Sequence, residues 1–199
     1  DQMNPSALRL AARRLLPCLL FMGVIAMSES CGSVPILVAQ RIHSVMLELP
    51  EDVPGLQEYA RKAYKEEGPP ADVEASLVAA TRAIRLDSSN PISWHLAAKA
   101  CAWLWDYGED PYGIDPYGRG VREVDCVELG EEAVKRAPKD VNVRYTLALI
   151  LGMRLQRASL AGVPFALGPF LDTARPLVKD APDLDDGGPL RIVGALYLK

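Results

Sequence analysis

Aromatic residues with the chemistry of a binding site crowd one segment of the chain. They are Trp103, Trp105, Tyr107, Tyr112 and Tyr117. Rigid aromatic side chains suit apolar ligands and protein interfaces, and a long loop between helices often carries function. A doubled Asp-Pro-Tyr-Gly, at 110–113 and 115–118, marks the loop. These five residues are therefore the candidate binding site, and the alternative is a loop that folds its rings back onto the helices.

Acidic residues share this segment and raise the question of a metal. Asp106, Asp110 and Asp115 could supply calcium ligands, but their spacing misses the calcium-loop pattern and no closing glutamate follows. Acidic residues are also common in solvated turns. We expect solvated turn acids here and no metal.

A second candidate lies near the end of the chain, where residues 185–189 read Asp-Asp-Gly-Gly-Pro. The favoured interpretation is structural: the aspartates cap a helix, the glycines allow unusual dihedrals and the proline opens the helix. The alternative is a loop that a ligand approaches. Arg191 could meet an anionic ligand, although an ion pair with Asp185 or Asp186 is favoured.

Residues for catalysis are not arranged in any known motif. The chain has two histidines, His43 and His95, and lacks His-Glu-x-x-His, Gly-x-Ser-x-Gly, a phosphate loop and a dinucleotide fingerprint. We expect each histidine to be a surface or satisfied core residue. The sequence predicts a protein that is not an enzyme and has no cofactor.

The cysteines lack the C-x-x-C spacing of metal and redox sites. Cys101 and Cys126 could pair in an oxidising compartment, but cysteine on an apolar helix face is commonly core, which we favour. Cys18 lies within a predicted export signal, residues 1–30, in which arginines precede the apolar run Leu15–Met27.

The end of this signal leaves the mature N-terminus open. Cys31 stands where a bacterial lipoprotein carries its acylated cysteine, and lipidation there and simple cleavage nearby are equally consistent with the residues. An acyl chain would attach the protein to a membrane surface. The apolar helical pattern continues up to Lys199, so we also expect the chain to be truncated.

Helices must position all of these residues. With 49% hydrophobic and 24% charged residues, disorder is not expected, and a net charge of -4 offers no basic surface for nucleic acid. Residues 31–70 show helical periodicity, and residues 71–199 show helical hairpins that break at 87–91, 137–140 and 181–183. We read the whole mature chain as helices, an all-α fold of stacked antiparallel hairpins forming a TPR-like α-solenoid.

The hairpins repeat at an offset of 50 residues, so that Ala83 falls on Ala133 and Ala98 on Ala148. Small residues at these positions let helices approach closely, and stacked hairpins leave a concave groove suited to binding. One apolar run, Leu160–Phe170, is broken by glycine and proline. It could line a ligand channel or touch a membrane, and we slightly favour a buried connection between helices.

Two stretches resemble known families. Residues 83–94, Ala-Ile-Arg-Leu-Asp-Ser-Ser-Asn-Pro-Ile-Ser-Trp, resemble the turn of tetratricopeptide (TPR) repeats. Residues 181–199 are similar to the Gly-Gly-Pro, Arg and Gly-Ala-Leu-Tyr block of the T-component of tripartite ATP-independent periplasmic (TRAP) transporters.

The resemblance implies an exported, often lipid-anchored helical protein of the bacterial periplasm. Its partner would be the periplasmic solute-binding protein of a TRAP transporter, with a small apolar or organic-acid ligand as a second occupant and a homo-oligomer as an open alternative. A generic TPR-like envelope scaffold for protein-protein interaction is the other hypothesis.

Overall fold

The structure is a computed structural model that describes residues 48–65, 68–117 and 121–195. Contacts divide the chain into two units, and every described residue belongs to the second, Ser44–Lys199. The predicted signal, Cys18, Cys31 and His43 lie outside the described residues.

Helices dominate the described residues, which confirms the all-α class, whereas the TPR-like solenoid stays a prediction. The elements in chain order are α1 (Val53–Ala63), α2 (Pro70–Leu86), α3 (Pro91–Asp106), β1 (Tyr112–Ile114), β2 (Val121–Glu123), α4 (Cys126–Arg136), α5 (Val141–Arg157), α6 (Val163–Asp180) and α7 (Gly188–Gly194).

The first predicted hairpin is α2 and α3, and its turn lies where the sequence places it. The Asp87 carboxylate accepts a hydrogen bond from the backbone N–H of Ser89. Asn90 then caps α3 by accepting from the N–H of Ile92, and Pro91 occupies its first turn. A side-chain oxygen that satisfies an unpaired N–H, followed by proline, begins a helix efficiently.

The second hairpin is α4 and α5, and it repeats the same logic. Asp140 caps α5 by accepting from the N–H groups of Asn142 and Val143. α4 begins at Cys126 because Asp125 is its cap and accepts from the N–H groups of Val127 and Glu128. The four small residues predicted at the helix contacts are buried, as close approach requires: Ala83, Ala98, Ala133 and Ala148.

Odd-numbered helices form one layer of the described unit. α3 contacts both α1 and α5, and α5 contacts α7. α2 packs against α1 and α3, α4 against α3 and α5, and α6 against α5 and α7. A buried hydrogen bond of 2.9 Å from the Gln57 amide to the Ser93 hydroxyl joins α1 to α3. The odd layer positions the candidate site described below.

A short β-hairpin corrects the prediction that the whole mature chain is helical. β1 and β2 pair antiparallel, with Tyr112 opposite Glu123. Strands of three residues are too short to show sustained alternation in sequence. The hairpin packs on α2. A Cβ on Gly113 would lie 3.3 Å from Thr81 Cγ2 of that helix, and the Thr81 hydroxyl accepts from the Ile114 N–H.

A disulfide between Cys101 and Cys126 closes the chain segment that contains the β-hairpin. It joins α3 to the first residue of α4, and both cysteines are buried. The favoured interpretation of these cysteines as unpaired core residues was therefore wrong. The two cysteines are 25 residues apart in sequence, so spacing alone did not indicate that they meet. The β-hairpin between them brings them together.

The run from Leu160 to Phe170 is also not the buried connection that we favoured. Leu160 is 95% exposed and Phe165 is 83% exposed, while Phe170 is the buried anchor. α6 begins within the run, with Pro164 in its first turn. Of the residues that the run contributes to this helix, Phe170 is the buried one. Among the described residues, no helix is both long enough and apolar enough to cross a membrane.

Candidate functional site

A groove of about 790 Å³ crosses the odd-numbered layer, from the end of α1 to α7. Helices α3 and α5 form its floor, and the loop before α7 forms one wall. Its lining combines apolar, polar and charged side chains, among them Tyr64, His95, Lys99, Trp103, Asp106, Asp140, Tyr145, Thr146, Leu149, Met153, Asp185, Arg191 and Ile192.

The apolar part of the groove is built around Trp103. Leu149 and Met153 line the groove from α5, and Ile192 lines it from α7. The Trp103 ring stacks on Tyr107, with 4.0 Å between ring centroids and 18° between planes. Stacking restricts the indole, so this wall is preformed for an apolar ligand surface.

His95 and Thr146 form the polar centre of the floor. His95 Nε2 lies 3.0 Å from Thr146 Oγ1, and that hydroxyl donates to the carbonyl of Asn142. Because a hydroxyl has one proton, this pattern assigns the proton on the ring to Nε2. Burial lowers the pKa of His95, Asp140 opposes that shift and Lys99 adds to it. The imidazole is therefore neutral near pH 7.

A cluster of three polar side chains closes the α7 end of the groove. The Tyr145 hydroxyl donates to Asp185 Oδ2 at 2.7 Å, and Arg191 Nη2 lies 3.3 Å from the same oxygen. The Arg191 guanidinium also donates to the carbonyls of Asp185 and Asp186. The favoured ion pair of Arg191 is confirmed, with Asp185 as its partner.

The expectation that Asp185 and Asp186 cap α7 was wrong. Gly187 is the cap residue and no side chain bonds to the first turn of α7. The aspartates instead adopt left-handed dihedrals, with φ of 51° and 50°, followed by Gly187 at 80°. The Asp185 carboxylate turns toward α5, where Tyr145 holds it, which removes it from a capping position.

The charges of the groove nearly balance. Lys99 and Arg191 are cationic, and Lys99 Nζ lies 4.4 Å from the centroid of the Tyr64 ring. Three carboxylates line the same space: Asp106, Asp140 and Asp185. Two of them already serve the fold, since Asp140 caps α5 and Asp185 binds Arg191. A bound group therefore meets local charges and not a field of one sign.

The predicted aromatic site does not form a single site. Trp103 lines the groove, as does Arg191, whereas Trp105 lines a separate cavity against α5 and α6. Tyr107 and Tyr117 are 61% and 67% exposed, and Tyr112 is in β1. Only Trp103 and Trp105 lie within α3, which ends at Asp106. Because they are two residues apart, their rings lie on different faces of the helix, and only Trp103 reaches the groove.

The aspartates of this segment also divide. Asp106 and Asp110 are exposed, as expected for solvated acids. Asp115 is only 4% exposed, so that expectation was wrong for this residue. Its Oδ1 accepts from the Tyr117 N–H at 2.8 Å and its Oδ2 lies 3.7 Å from Arg122 Nε. Asp115 thus stabilises the β-hairpin.

The residues that the sequence analysis missed lie on two helical stripes. On α3, His95, Lys99 and Trp103 follow one another at intervals of four residues. On α5, Asn142, Tyr145, Leu149 and Met153 follow at intervals of three and four, with Thr146 beside them. Such spacing places residues on one helix face, so polar residues within otherwise apolar repeats were a usable signal.

Comparison with known proteins finds no match for this chain: no family model, no curated protein and no solved structure. Its function is therefore inferred from the geometry of the groove together with the resemblance in residues 181–199.

Proposed function

We propose that this chain is a non-catalytic accessory component of a TRAP transporter in the bacterial periplasm. Its groove receives the solute-binding protein of the transporter and accepts a small organic acid with an apolar body. The observation that supports this most is the groove itself, which spans four helices and combines an apolar wall with a few convergent polar groups. Ligand sites commonly have this composition.

The part of the chain that resembles the TRAP T-component takes part in this groove. Asp185, Arg191 and Ile192 belong to the resembling block, and each lines the cavity. The resemblance and the groove are thus two features of the same residues. This coincidence favours the transporter hypothesis over an unrelated use of the hairpins.

The distribution of side chains suggests the orientation of an organic-acid ligand. Its apolar body lies against Trp103, Leu149 and Met153, which all line the groove. Its carboxylate lies near Lys99, a cation that lines the groove beside Tyr64. Arg191 already binds Asp185, so it contributes a weaker share.

The disulfide supports an exported location for this function. Cys101 and Cys126 are bonded in the buried interior. Structural disulfides are typical of secreted and periplasmic proteins and rare in the cytosol. The bond is consistent with the predicted signal at residues 1–30, which is the second reason for the periplasmic proposal.

The test is a binding titration by calorimetry between the purified chain and the solute-binding protein encoded beside the TRAP membrane subunits. Trp103→Ala removes the aromatic wall, and we expect about thirtyfold weaker binding, the scale of an interface hot spot. Tyr117→Ala is the matched control, because it removes an exposed aromatic residue outside the groove.

Equal affinities of the two variants would remove the groove from the interaction. Absence of binding by the wild-type chain, combined with recovery of other envelope proteins in a pull-down from the native bacterium, would favour the generic TPR-like scaffold.

A further inference from the structure

An exposed basic and apolar surface lies where α5 passes into α6, away from the groove. We name it the α5–α6 patch and define it by Trp105, Arg154, Arg157, Leu160 and Phe165. Trp105, the two arginines and Phe165 line a cavity of about 410 Å³, and Leu160 projects beside it. None of these residues lines the groove.

The charge of this part of the chain is opposite to that of the whole protein. The chain carries a net charge of -4, yet no acidic residue occurs between Asp140 and Asp172. Three arginines lie in that interval, and Arg144 is paired with Asp180 at 3.0 Å. Arg154 and Arg157 are exposed, and within the described residues no carboxylate forms an ion pair with either.

The two arginines precede a stretch without any charge, residues 158–171. The Arg157 guanidinium lies 4.9 Å from the Trp105 ring centroid and donates to the Trp105 carbonyl, so its position beside the aromatic ring is set. Leu160 and Phe165 are the most exposed large apolar side chains of the described residues. Burying them in an apolar phase is favourable.

We propose that the α5–α6 patch is a membrane-contact surface for anionic phospholipid. Leu160 and Phe165 enter the boundary between headgroups and acyl chains, and Arg154 and Arg157 meet lipid phosphates. Tryptophan beside arginine at that depth matches the chemistry of membrane interfaces. Insertion ends where charge returns to α6, at Asp172 and Arg175.

A lipid surface fits the patch better than a protein partner. Each exposed side chain offers on the order of 200 Å², so the pair supplies about half of the roughly 800 Å² that each partner buries in a stable protein interface. Shallow insertion needs only a few apolar side chains together with attraction of cations to anionic lipid. An acidic protein also needs such a local basic surface to approach an anionic membrane.

The first experiment measures depth, so that attachment through the N-terminal apolar run does not obscure the result. Phe165→Trp and the control Ile92→Trp each add a tryptophan at an exposed apolar site of the full chain. Ile92 is about 20 Å from Trp105 along α3. Emission is compared with wild-type emission on phosphatidylglycerol vesicles with brominated acyl chains.

We expect the added emission of Phe165→Trp to shift to the blue and to be quenched, and that of Ile92→Trp to persist. Quenching of both probes alike, or of neither, would overturn the proposal.

The second experiment measures the charge contribution by vesicle sedimentation. The partition ratio between phosphatidylglycerol and phosphatidylcholine vesicles should fall about fivefold for Arg154→Gln, the effect of one arginine near an anionic surface. Arg85→Gln, which removes another exposed arginine, should leave the ratio unchanged. Equal ratios for the two variants would contradict the proposal.

A protein interface at the patch would give a different experimental result from a membrane-contact surface. If the wild-type chain associates with itself in sedimentation equilibrium without lipid, and Leu160→Ser with Phe165→Ser abolishes that association, the patch is a contact between copies and the lipid proposal fails. Because the groove is separate, loss of solute-binding-protein affinity leaves these results unaffected.

Discussion

The hydroxyl of Tyr145 donates a 2.7 Å hydrogen bond to Asp185 Oδ2, which joins the N-terminal part of α5 to the loop before α7. Arg191 binds the same carboxylate, so one acidic side chain connects two helices and the loop between α6 and α7. Left-handed dihedrals at non-glycine residues such as Asp185 and Asp186 are uncommon and persist where surrounding contacts hold them.

Removing the hydroxyl tests this connection. Tyr145→Phe should lower the free energy of unfolding by about 0.5–1 kcal/mol, the net contribution of one hydrogen bond. Urea denaturation measures the loss. Tyr59→Phe on α1 is the matched control, and an equal loss in the control would show that the effect is not specific to the cluster.

The stability of Tyr145→Phe should also differ from that of wild type at high pH. Burial, and then the hydrogen bond and charge of Asp185, raise the pKa of Tyr145 to about 12 from the ordinary value of 10.0. The folded state thus favours the protonated phenol, which stabilises it below pH 10 and is lost as pH rises toward 12. Thermal melts across this interval should decline less in Tyr145→Phe than in wild type.

Gly188 is required for a different reason from its neighbour Gly187. A Cβ on Gly188 would lie 2.2 Å from the Tyr145 hydroxyl oxygen, whereas Gly187 has a φ of 80° with open space around it. Gly188→Ala should displace Tyr145 and cost about 1–3 kcal/mol, as overpacking typically does. Gly194→Ala on the same helix has no neighbour within 4 Å. It should unfold like wild type in the same titration.

The disulfide should carry a large share of the stability of the β-hairpin insertion. Cys101→Ser with Cys126→Ser is expected to cost about 3 kcal/mol, as for closed loops of this length. Chemical denaturation with and without reductant measures this. Reductant should destabilise the wild type by a similar amount and leave the double variant unchanged, and a reductant effect in the double variant would indicate another source.

His95 predicts a loss of stability in mildly acidic solution. Its pKa is lowered from 6.5 chiefly by burial, and Lys99 adds to the shift while Asp140 opposes it. The unfolded state then binds a proton that the folded state does not, so stability falls as pH drops below 6.5. His95→Gln should flatten the decline that begins below pH 6.5.

Titration of carboxylates changes the stability at a lower pH than titration of His95 does, so the two contributions can be measured separately. The pKa of Glu132 is lowered from 4.5 mainly by its hydrogen bond to Arg136. Its stabilisation is present above 4.5 and is lost below that value. A decline that begins below pH 6.5 and persists in His95→Gln would assign that decline to groups other than the histidine.

Helix boundaries were largely predictable because they depend on local chemistry. Asn90 and Asp140 cap helices, Pro91 occupies a first turn, and the break at residues 181–183 follows the end of α6 at Asp180. Side-chain capping and the restricted φ of proline act within a few residues, so a single sequence contains the necessary information.

The groove was predictable only in part. Trp103 and Arg191 were named as binding residues, but His95, Lys99 and Tyr145 were not. Their spacing places His95 and Lys99 on the helix face of Trp103, and Tyr145 on the face of apolar residues of α5. Trp105 faces another cavity because it is two residues from Trp103 and so lies on a different helix face. Tyr107 stacks on Trp103 but is largely exposed, and Tyr112 and Tyr117 follow the helix in the β-hairpin segment.

By itself, the sequence determined the helical class, the turns of the two hairpins and the small residues that pack between helices. These follow from periodicity, caps and side-chain size, which are local properties. Only the tertiary structure decided that Cys101 bonds to Cys126, that Tyr145 meets Asp185 and that Leu160 and Phe165 face outward. Each of these depends on where helices far apart in sequence come to lie, and residue spacing does not specify that arrangement.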